Sequence, residues 1–174
     1  LFLLYIIRYL KEGGRAAIVL PDGSLTGDGV KQRIRQKWLK DCNLHTIIRL
    51  PNSVFKPYAT VATNLLFFTK GEPTKTIWYY EHQLPKGQKS YSKTKPIQVS
   101  EFDPIKKWWS DRKESEVAWK VSIEEIEKRG VDLDIKNPNG QKEEERESTA
   151  VIFERILNRQ SSINGQLGKI AEIM

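Results

Sequence analysis

The sequence predicts an α/β fold in which the last of three core strands runs antiparallel to the other two. Residues 1–50 read as helix, strand, loop, helix, strand, and the two strands, "RAAIVLP" and "LHTIIRLP", are short apolar runs closed by proline. That alternation is typical of α/β proteins. A third apolar run, "TVATNLLFFTKG", follows too soon for a crossover helix of about a dozen residues, so we expect it to be antiparallel.

The amino-terminal elements follow from periodicity and from turn residues. Residues 1–12 have apolar residues near helical spacing, and Gly13-Gly14 should end that helix. The fully apolar run "RAAIVLP" predicts a strand buried on both faces in a parallel sheet. "DGSLTGDG" predicts a loop, and "VKQRIRQKWLKD" predicts an amphipathic, basic helix.

The middle of the chain predicts a further strand, "KTIWYYEH", and a polar, basic loop, "LPKGQKSYSKTKP". Residues 100–122 predict a helix followed by an irregular stretch. "SIEEIEKRG" predicts a helix capped by Ser122, with Glu125 three residues later and Gly130 at its end. "VDLDIKNPNG" alternates strictly and ends in a turn sequence, so we expect it to be extended.

The carboxyl-terminal residues predict a charged linker and a helix. Residues 143–147 are almost wholly charged. Beyond them a spacing typical of heptad positions a and d, about three repeats long, connects Phe153, Ile156, Ile163, Leu167 and Ile170. Such a narrow apolar seam favours a partner helix, although packing on the chain's own domain would use the same pattern.

Composition restricts the classes of partner. Residues 1–68 carry a net charge of +6, residues 69–120 carry +4 and residues 121–174 carry −3, which sum to the +7 of the whole chain. A basic body suggests a polyanionic partner, although solvated surface charge gives the same balance. The single cysteine, no signal-peptide pattern and no long apolar run favour a cytoplasmic protein without a membrane partner. Because an apolar helix without a capping residue opens the chain, we expect a fragment of a longer protein.

The chemistry-bearing motifs do not complete an active site. The sequence has no Walker loop, no G-x-G-x-x-G after a strand and no cluster of metal ligands. His45 lies in a predicted strand, and Cys42 has no neighbouring base to activate it. We therefore predict no catalytic residue and no metal site within this chain.

Several separate stretches nevertheless match a known family in the same order. "YLKEGGRAAIVLPDGSLTGDGVKQRIRQKWLKDCNLHTIIRLPNSVFKPYATVATNLLFFTKG", "IWYYEHQLPKGQKSYSKTKPI" and "AWKVSIEEIEKRGVDLDIKNPN" resemble the carboxyl-terminal half of the catalytic domain of DNA adenine N6-methyltransferases. The resemblance is to the modification (M) subunit of type I restriction-modification systems, and it covers about residues 1–140.

The resemblance implies a fold and an activity, which is the transfer of a methyl group from S-adenosylmethionine to the exocyclic N6 of adenine in DNA. The fold would be the carboxyl-terminal half of a Rossmann-like sheet, with the three core strands as its fifth, sixth and seventh, and a helical tail. The first four strands, the glycine-rich S-adenosylmethionine loop and the (Asn/Asp)-Pro-Pro-(Phe/Tyr) motif would precede Leu1, so the isolated chain should be inactive. Implied partners are double-stranded DNA, a specificity (S) subunit and the restriction (R) subunit.

The resemblance and the residue patterns together suggest three segments: by resemblance, residues 1–82 in the catalytic domain and residues 83–142 as an extension, and, by charge and heptad spacing, residues 143–174 as linker and tail helix. A rival interpretation is a non-enzymatic DNA-binding or subunit-assembly module. What precedes Leu1 would distinguish the two.

Phe55 matches the family's aromatic residue that stacks on an adenine swung out of the duplex, since an aromatic face restores part of the lost stacking. The alternative is a loop phenylalanine that fills the core edge, and Tyr58 is the second stacking candidate. Four basic residues flank this region and could contact phosphates, although each could equally lie on a solvated face: Arg33, Arg35, Lys37 and Lys56.

Overall fold

The computed structural model describes residues 1–140, 153–161 and 163–164. The chain divides into two compact units, residues 1–140 and residues 141–174. In the first unit the strands are β1 (Arg15–Pro21), β2 (Cys42–Leu50), β3 (Thr63–Lys70), β4 (Thr76–Glu81) and β5 (Ala118–Ser122). The helices are α1 (Phe2–Tyr9), α2 (Asp22–Leu25), α3 (Val30–Asp41), α4 (Asp103–Ser110) and α5 (Ile123–Lys128), with a 3-10 turn at Val99–Phe102.

The five strands form one mixed sheet in the order β1-β3-β2-β4-β5. Strand β3 lies between β1 and β2 and is antiparallel to both, which confirms the prediction for the third strand. Strand β4 is parallel to β2, and β5 returns antiparallel to β4. Because β4 and β5 pair directly, the sheet continues across the predicted segment boundary at residue 82.

Side chains alternate between two hydrophobic clusters, one on each face of the sheet. In β2, Ile47 belongs to one cluster and Ile48 to the other. This is the period of two expected of a strand covered on both faces. Helices α1, α3 and α5 cover one face, and α4 with the 3-10 turn covers the other, where Trp108 and Trp109 pack against it.

Two sequence predictions about strands are wrong. Strand β1 alternates between exposed and half-buried residues instead of being buried on both faces, and Val19 is 50% exposed. One face of β1 packs on the core through Ala16, Ile18 and Leu20, whereas the face that carries Val19 is exposed. Strand β5 lies where an irregular stretch was predicted, because five residues among charged neighbours give too short a pattern to recognise.

Two smaller predictions concern the helices. The predicted loop after β1 opens with the four-residue helix α2. The predicted cap of α5 is confirmed, since Ser122 Oγ accepts a hydrogen bond from Glu125 N at 3.3 Å. Gly130 follows that helix with a φ of 68°, a left-handed conformation that favours glycine.

Candidate functional site

The carboxyl ends of three parallel strands define one edge of the sheet. Strands β1, β2 and β4 point the same way, so Pro21, Leu50 and Glu81 end at this edge. Ligands of open α/β sheets bind outside the carboxyl ends of the strands. The loop of residues 51–62, which contains Phe55, leaves β2 at this edge and enters β3 there. We therefore treat this edge as the candidate site.

The loop of residues 51–62 is held in place from inside. Ser53 is buried, and its Oγ accepts a hydrogen bond from Tyr91 N at 2.9 Å. The next side chain, Val54, packs on the hydrophobic cluster around Ile48 and Leu50. At the far end of the loop, Asp22 N donates to Ala62 O at 3.1 Å. These anchors fix the loop relative to β1 and β2.

Phe55 lies on the outer side of this anchored loop. Its ring is 42% exposed and belongs to neither hydrophobic cluster, whereas neighbouring Val54 is drawn into one. Its carbonyl accepts hydrogen bonds from Tyr58 N at 2.9 Å and Ala59 N at 3.0 Å, so the backbone around it forms a closed turn. Tyr58 is 90% exposed on the same turn. Both aromatic residues are thus accessible from solvent. Phe55 directly follows the anchored residues Ser53 and Val54, so its position is the more restricted of the two.

An ionic cluster that the sequence analysis did not predict lies at the same edge. Arg49, at the end of β2, has Nη2 2.6 Å from Asp134 Oδ1 and 3.7 Å from Asp22 Oδ2, while its Nη1 donates to Ile135 O at 2.8 Å. Asn64, only 1% exposed, donates from Nδ2 to Asp22 Oδ1 at 2.6 Å. An arginine near the end of a largely buried strand was the available signal, but its partners come from distant segments.

At the start of β3, two buried polar atoms have no hydrogen-bond partner in the part of the chain that the structure describes: Asn64 Oδ1 and the hydroxyl of Thr63. Buried polar groups are rarely left unsatisfied, and those that are often mark sites where a ligand or water binds. The start of β3 therefore contributes unsatisfied polar atoms to the edge of the sheet that forms the candidate site.

The predicted phosphate-binding residues divide into two groups. Arg33, Lys37 and Lys56 are exposed. Lys37 forms a surface ion pair with Asp41 at 2.7 Å, and that pair, with the hydrogen bond it contains, raises the pKa of Lys37. Lys56 lies next to Phe55 on the loop of residues 51–62. These three side chains can reach a polyanion without rearrangement of the core.

Arg35 is not available to a phosphate, which corrects the prediction. It is 2% exposed, and its guanidinium donates to three carbonyls: Nε to Val131 O at 2.7 Å, Nη1 to Thr26 O at 2.9 Å and Nη2 to Gly27 O at 2.6 Å. Burial lowers the pKa of Arg35, and the charges of Asp132 and Asp28 oppose that effect. The guanidinium fastens α3 to two loops, so its role is structural.

Three further polar side chains fit structural roles: His45, Cys42 and Asn137. Burial and the charge of Arg112 lower the pKa of His45 to about 4, so the imidazole is neutral at pH 7. Its Nδ1 lies 2.9 Å from Thr46 Oγ1. Cys42 is fully buried, and burial raises the pKa of its thiol, which makes it a poor nucleophile. Asn137 forms a local turn, its Oδ1 accepting from Asn139 N at 2.9 Å.

The described residues, 1–140, 153–161 and 163–164, lack two features. No group of three or more metal-ligating side chains comes together there. No helix in those ranges is long and apolar enough to cross a membrane.

The predicted seam of the tail is described in part. Residues 153–161 and 163–164 are helical, and Phe153, Ile156 and Ile163 are 59%, 55% and 55% exposed. Leu167 and Ile170 lie outside the described residues. The role of the seam stays a prediction.

The fold and the candidate site define the class of this protein: a mixed α/β protein with an exposed aromatic residue on a loop at the carboxyl ends of its parallel strands. The family follows from comparison, because residues 1–147 match the model of the N-6 DNA methylase family. The chain belongs to that family. It is 54% identical, over 145 residues, to the methylase subunit of the Escherichia coli type I restriction enzyme EcoEI.

Solved structures agree with this assignment. A modification subunit assigned to a type I restriction enzyme of Vibrio vulnificus YJ016 superposes with a TM-score of 0.75 at 48% identity, covering 79% of this chain and 31% of that one. A chain from a structure on complex assembly and conformational transition of the type I restriction-modification system gives a TM-score of 0.77 at 36% identity, covering 99% and 38%.

The chain spans about a third of the length of these relatives. The EcoEI match covers 79% of this chain and 30% of that subunit.

Proposed function

We propose that the whole protein transfers a methyl group to the exocyclic N6 of adenine in double-stranded DNA, as the modification subunit of a type I restriction-modification system. Family membership and 54% identity to a methylase subunit support the reaction class. The observation that carries the role of this chain is Phe55, an accessible ring on an anchored loop at the ligand-binding edge. This chain then supplies the side of the site that holds the target base.

The methyl donor would be S-adenosylmethionine, which supplies an electrophilic methyl group. This chain lacks the glycine-rich loop and the (Asn/Asp)-Pro-Pro-(Phe/Tyr) motif that would hold the donor and the target amino group. Those parts would belong to the rest of the protein, and β1, which pairs on one side only among the described residues, would be the edge that continues a Rossmann-like sheet.

The residues of this chain would act by binding and orienting DNA. A base rotated out of the duplex loses its stacking neighbours, and the Phe55 ring would replace one of them. A loop fixed by Ser53 and Val54 presents that ring without a further ordering cost on binding. Arg33, Lys37 and Lys56 would contact phosphates and would add affinity that does not depend on sequence.

The tail would serve assembly. Three seam residues, Phe153, Ile156 and Ile163, are each more than half exposed on a helix. An apolar stripe of this width is typical of a helix that docks against a partner helix. We assign it to the specificity subunit, with the restriction subunit as a further member of the complex.

The test is Phe55→Ala in the full-length modification subunit assembled with its specificity subunit. Stacking of a base on an aromatic ring contributes about 1–3 kcal/mol. We therefore expect kcat/KM for DNA methylation to fall by roughly 5- to 150-fold, while the Kd for S-adenosylmethionine, measured by calorimetry, stays unchanged.

Two matched variants control this experiment. Phe55→Trp keeps a stacking face and should retain most of the activity. Tyr58→Ala removes the more exposed ring of the same turn and should have the smaller effect. A full loss for Tyr58→Ala with none for Phe55→Ala would transfer the stacking role to Tyr58. Unchanged methylation in both Phe55→Ala and Tyr58→Ala would refute base stacking by this loop.

A further inference from the structure

The loop that follows β4 is a compact basic hairpin, here defined as residues 85–96. Ser92 and Lys95 exchange both backbone hydrogen bonds at 3.1 Å, which closes the tip of the hairpin. It carries four exposed lysines and no acidic residue: Lys86, Lys89, Lys93 and Lys95. Among the described residues, none of these ammonium groups forms an ion pair with a carboxylate. Their charge is therefore available to a partner.

Tyr91, between these lysines, fastens the basic hairpin to the rest of the protein. Tyr91 is 1% exposed, and its backbone amide donates to Ser53 Oγ at 2.9 Å. Its hydroxyl donates to Glu101 Oε2 at 2.5 Å and lies 3.0 Å from His82 Nε2. Ser53 precedes Phe55 by two residues in the same anchored loop. The hairpin is thus fixed directly beside the loop that carries Phe55.

The carboxylate that binds the hairpin, Glu101, does not neutralise the charge of the hairpin lysines. Glu101 uses Oε2 for the Tyr91 hydroxyl and Oε1 for Gln98 N at 2.7 Å, and its side chain is 17% exposed. Both oxygens of Glu101 are consequently engaged by Tyr91 and Gln98, and the hairpin lysines remain exposed. Lys56, on the neighbouring loop, adds a fifth exposed ammonium group. The result is a positively charged surface beside the loop that carries Phe55.

We propose that the basic hairpin binds the phosphate backbone of duplex DNA on one side of the target adenine. This rests on the function proposed above, which places an extruded base at Phe55. Lysines bind phosphates as point charges without reading bases, so the contact would position the duplex. Because Tyr91 fixes the hairpin to the loop of Phe55, a phosphate held by the hairpin places the adjoining nucleotide near the ring.

The test compares two triple variants of the full-length modification subunit assembled with its specificity subunit. One replaces Lys89, Lys93 and Lys95 of the hairpin by Gln. The control replaces Lys11, Arg15 and Lys75, which are also exposed but lie before or at the start of β1 and β4, at the opposite edge of the sheet. Binding to a fluorescent duplex of random sequence is measured across salt concentrations, because phosphate contacts need no recognition site.

Each phosphate contact contributes about −0.9 to the slope of log K against log salt. With three contacts removed, we expect the hairpin variant to lose about 2.7 in the magnitude of that slope and to bind at least about tenfold more weakly at low salt, while the control keeps the parent slope. Equal slopes for the two variants would overturn the proposal.

Methylation assays separate this proposal from the function on which it rests. The hairpin variant should raise the KM for DNA and leave kcat unchanged at saturating DNA, since the lysines do not touch the reacting atoms. A parent complex that binds DNA but does not methylate it would overturn the proposed function. A hairpin variant with parent KM and parent slope, in a complex that does methylate, would overturn the hairpin proposal alone.

Discussion

Replacement of Arg35 by lysine separates a structural guanidinium from a phosphate-binding charge. Arg35 donates to the carbonyls of Thr26, Gly27 and Val131, which belong to two loops, one just before α3 and one after α5. Gly27 presents its carbonyl with a φ of 88°, which residues with a side chain seldom adopt. A lysine ammonium conserves the charge but cannot reach both loops at once, so we expect it to keep one of the three hydrogen bonds.

The expected loss follows from the two hydrogen bonds that lysine cannot replace. A hydrogen bond to a charged donor contributes about 1.5–3 kcal/mol, so the free energy of unfolding should fall by about 3 kcal/mol or more. With an m-value of about 2 kcal/mol per molar urea, the unfolding midpoint would drop by about 1.5 M. Tryptophan fluorescence can follow this transition, because Trp38 is 1% exposed on the same helix.

Arg33→Lys is the matched control, because Arg33 is exposed two residues earlier on α3. Exposed substitutions of this kind change stability by less than about 0.5 kcal/mol. Equal midpoints for Arg35→Lys and Arg33→Lys would refute the structural role of Arg35. The phosphate-binding interpretation would then be open again.

Two further predictions concern His45 and the tail. His45, whose pKa is lowered from 6.5 to about 4, stays neutral when folded but takes up a proton below pH 6.5 when unfolded. Stability should therefore decrease as the pH is lowered from 7 to 5, by at most about 2 kcal/mol because solvent screens part of the effect at this half-buried side chain. His45→Gln should flatten that part of a urea-midpoint profile, and an identical slope in the variant would contradict this. Truncation before Phe153 should abolish assembly with the specificity subunit on a sizing column, and normal assembly would show that the tail is dispensable.

Sequence periodicity was sufficient for most individual elements. Strand β1 and helix α3 span the predicted residues, and β3 is antiparallel as the short connection required. These features depend on local rules: the spacing of apolar residues, proline and glycine at the ends, and the length of a connection. The family, too, could be recognised from ordered stretches of sequence, and comparison confirms it.

Tertiary structure decided which charged residues face solvent. Arg33 and Arg35 are neighbours on one basic helix, and no local pattern shows that only the second is buried. Val131, which accepts a hydrogen bond from Arg35, lies 96 positions along the chain. A buried arginine is favourable only if its donors find acceptors, and those acceptors are in place only once the chain has folded.

The same distinction holds for the candidate site. The sequence by itself determined that an aromatic residue would follow β2 and that a basic loop would follow β4. Only the folded chain brought the two loops together, through a hydrogen bond between Tyr91 N and Ser53 Oγ that spans 38 positions. It also joined Arg49 to Asp22 and Asp134 across the sheet edge. Hydrophobic periodicity encodes each element separately, whereas polar contacts between distant segments depend on how the elements pack.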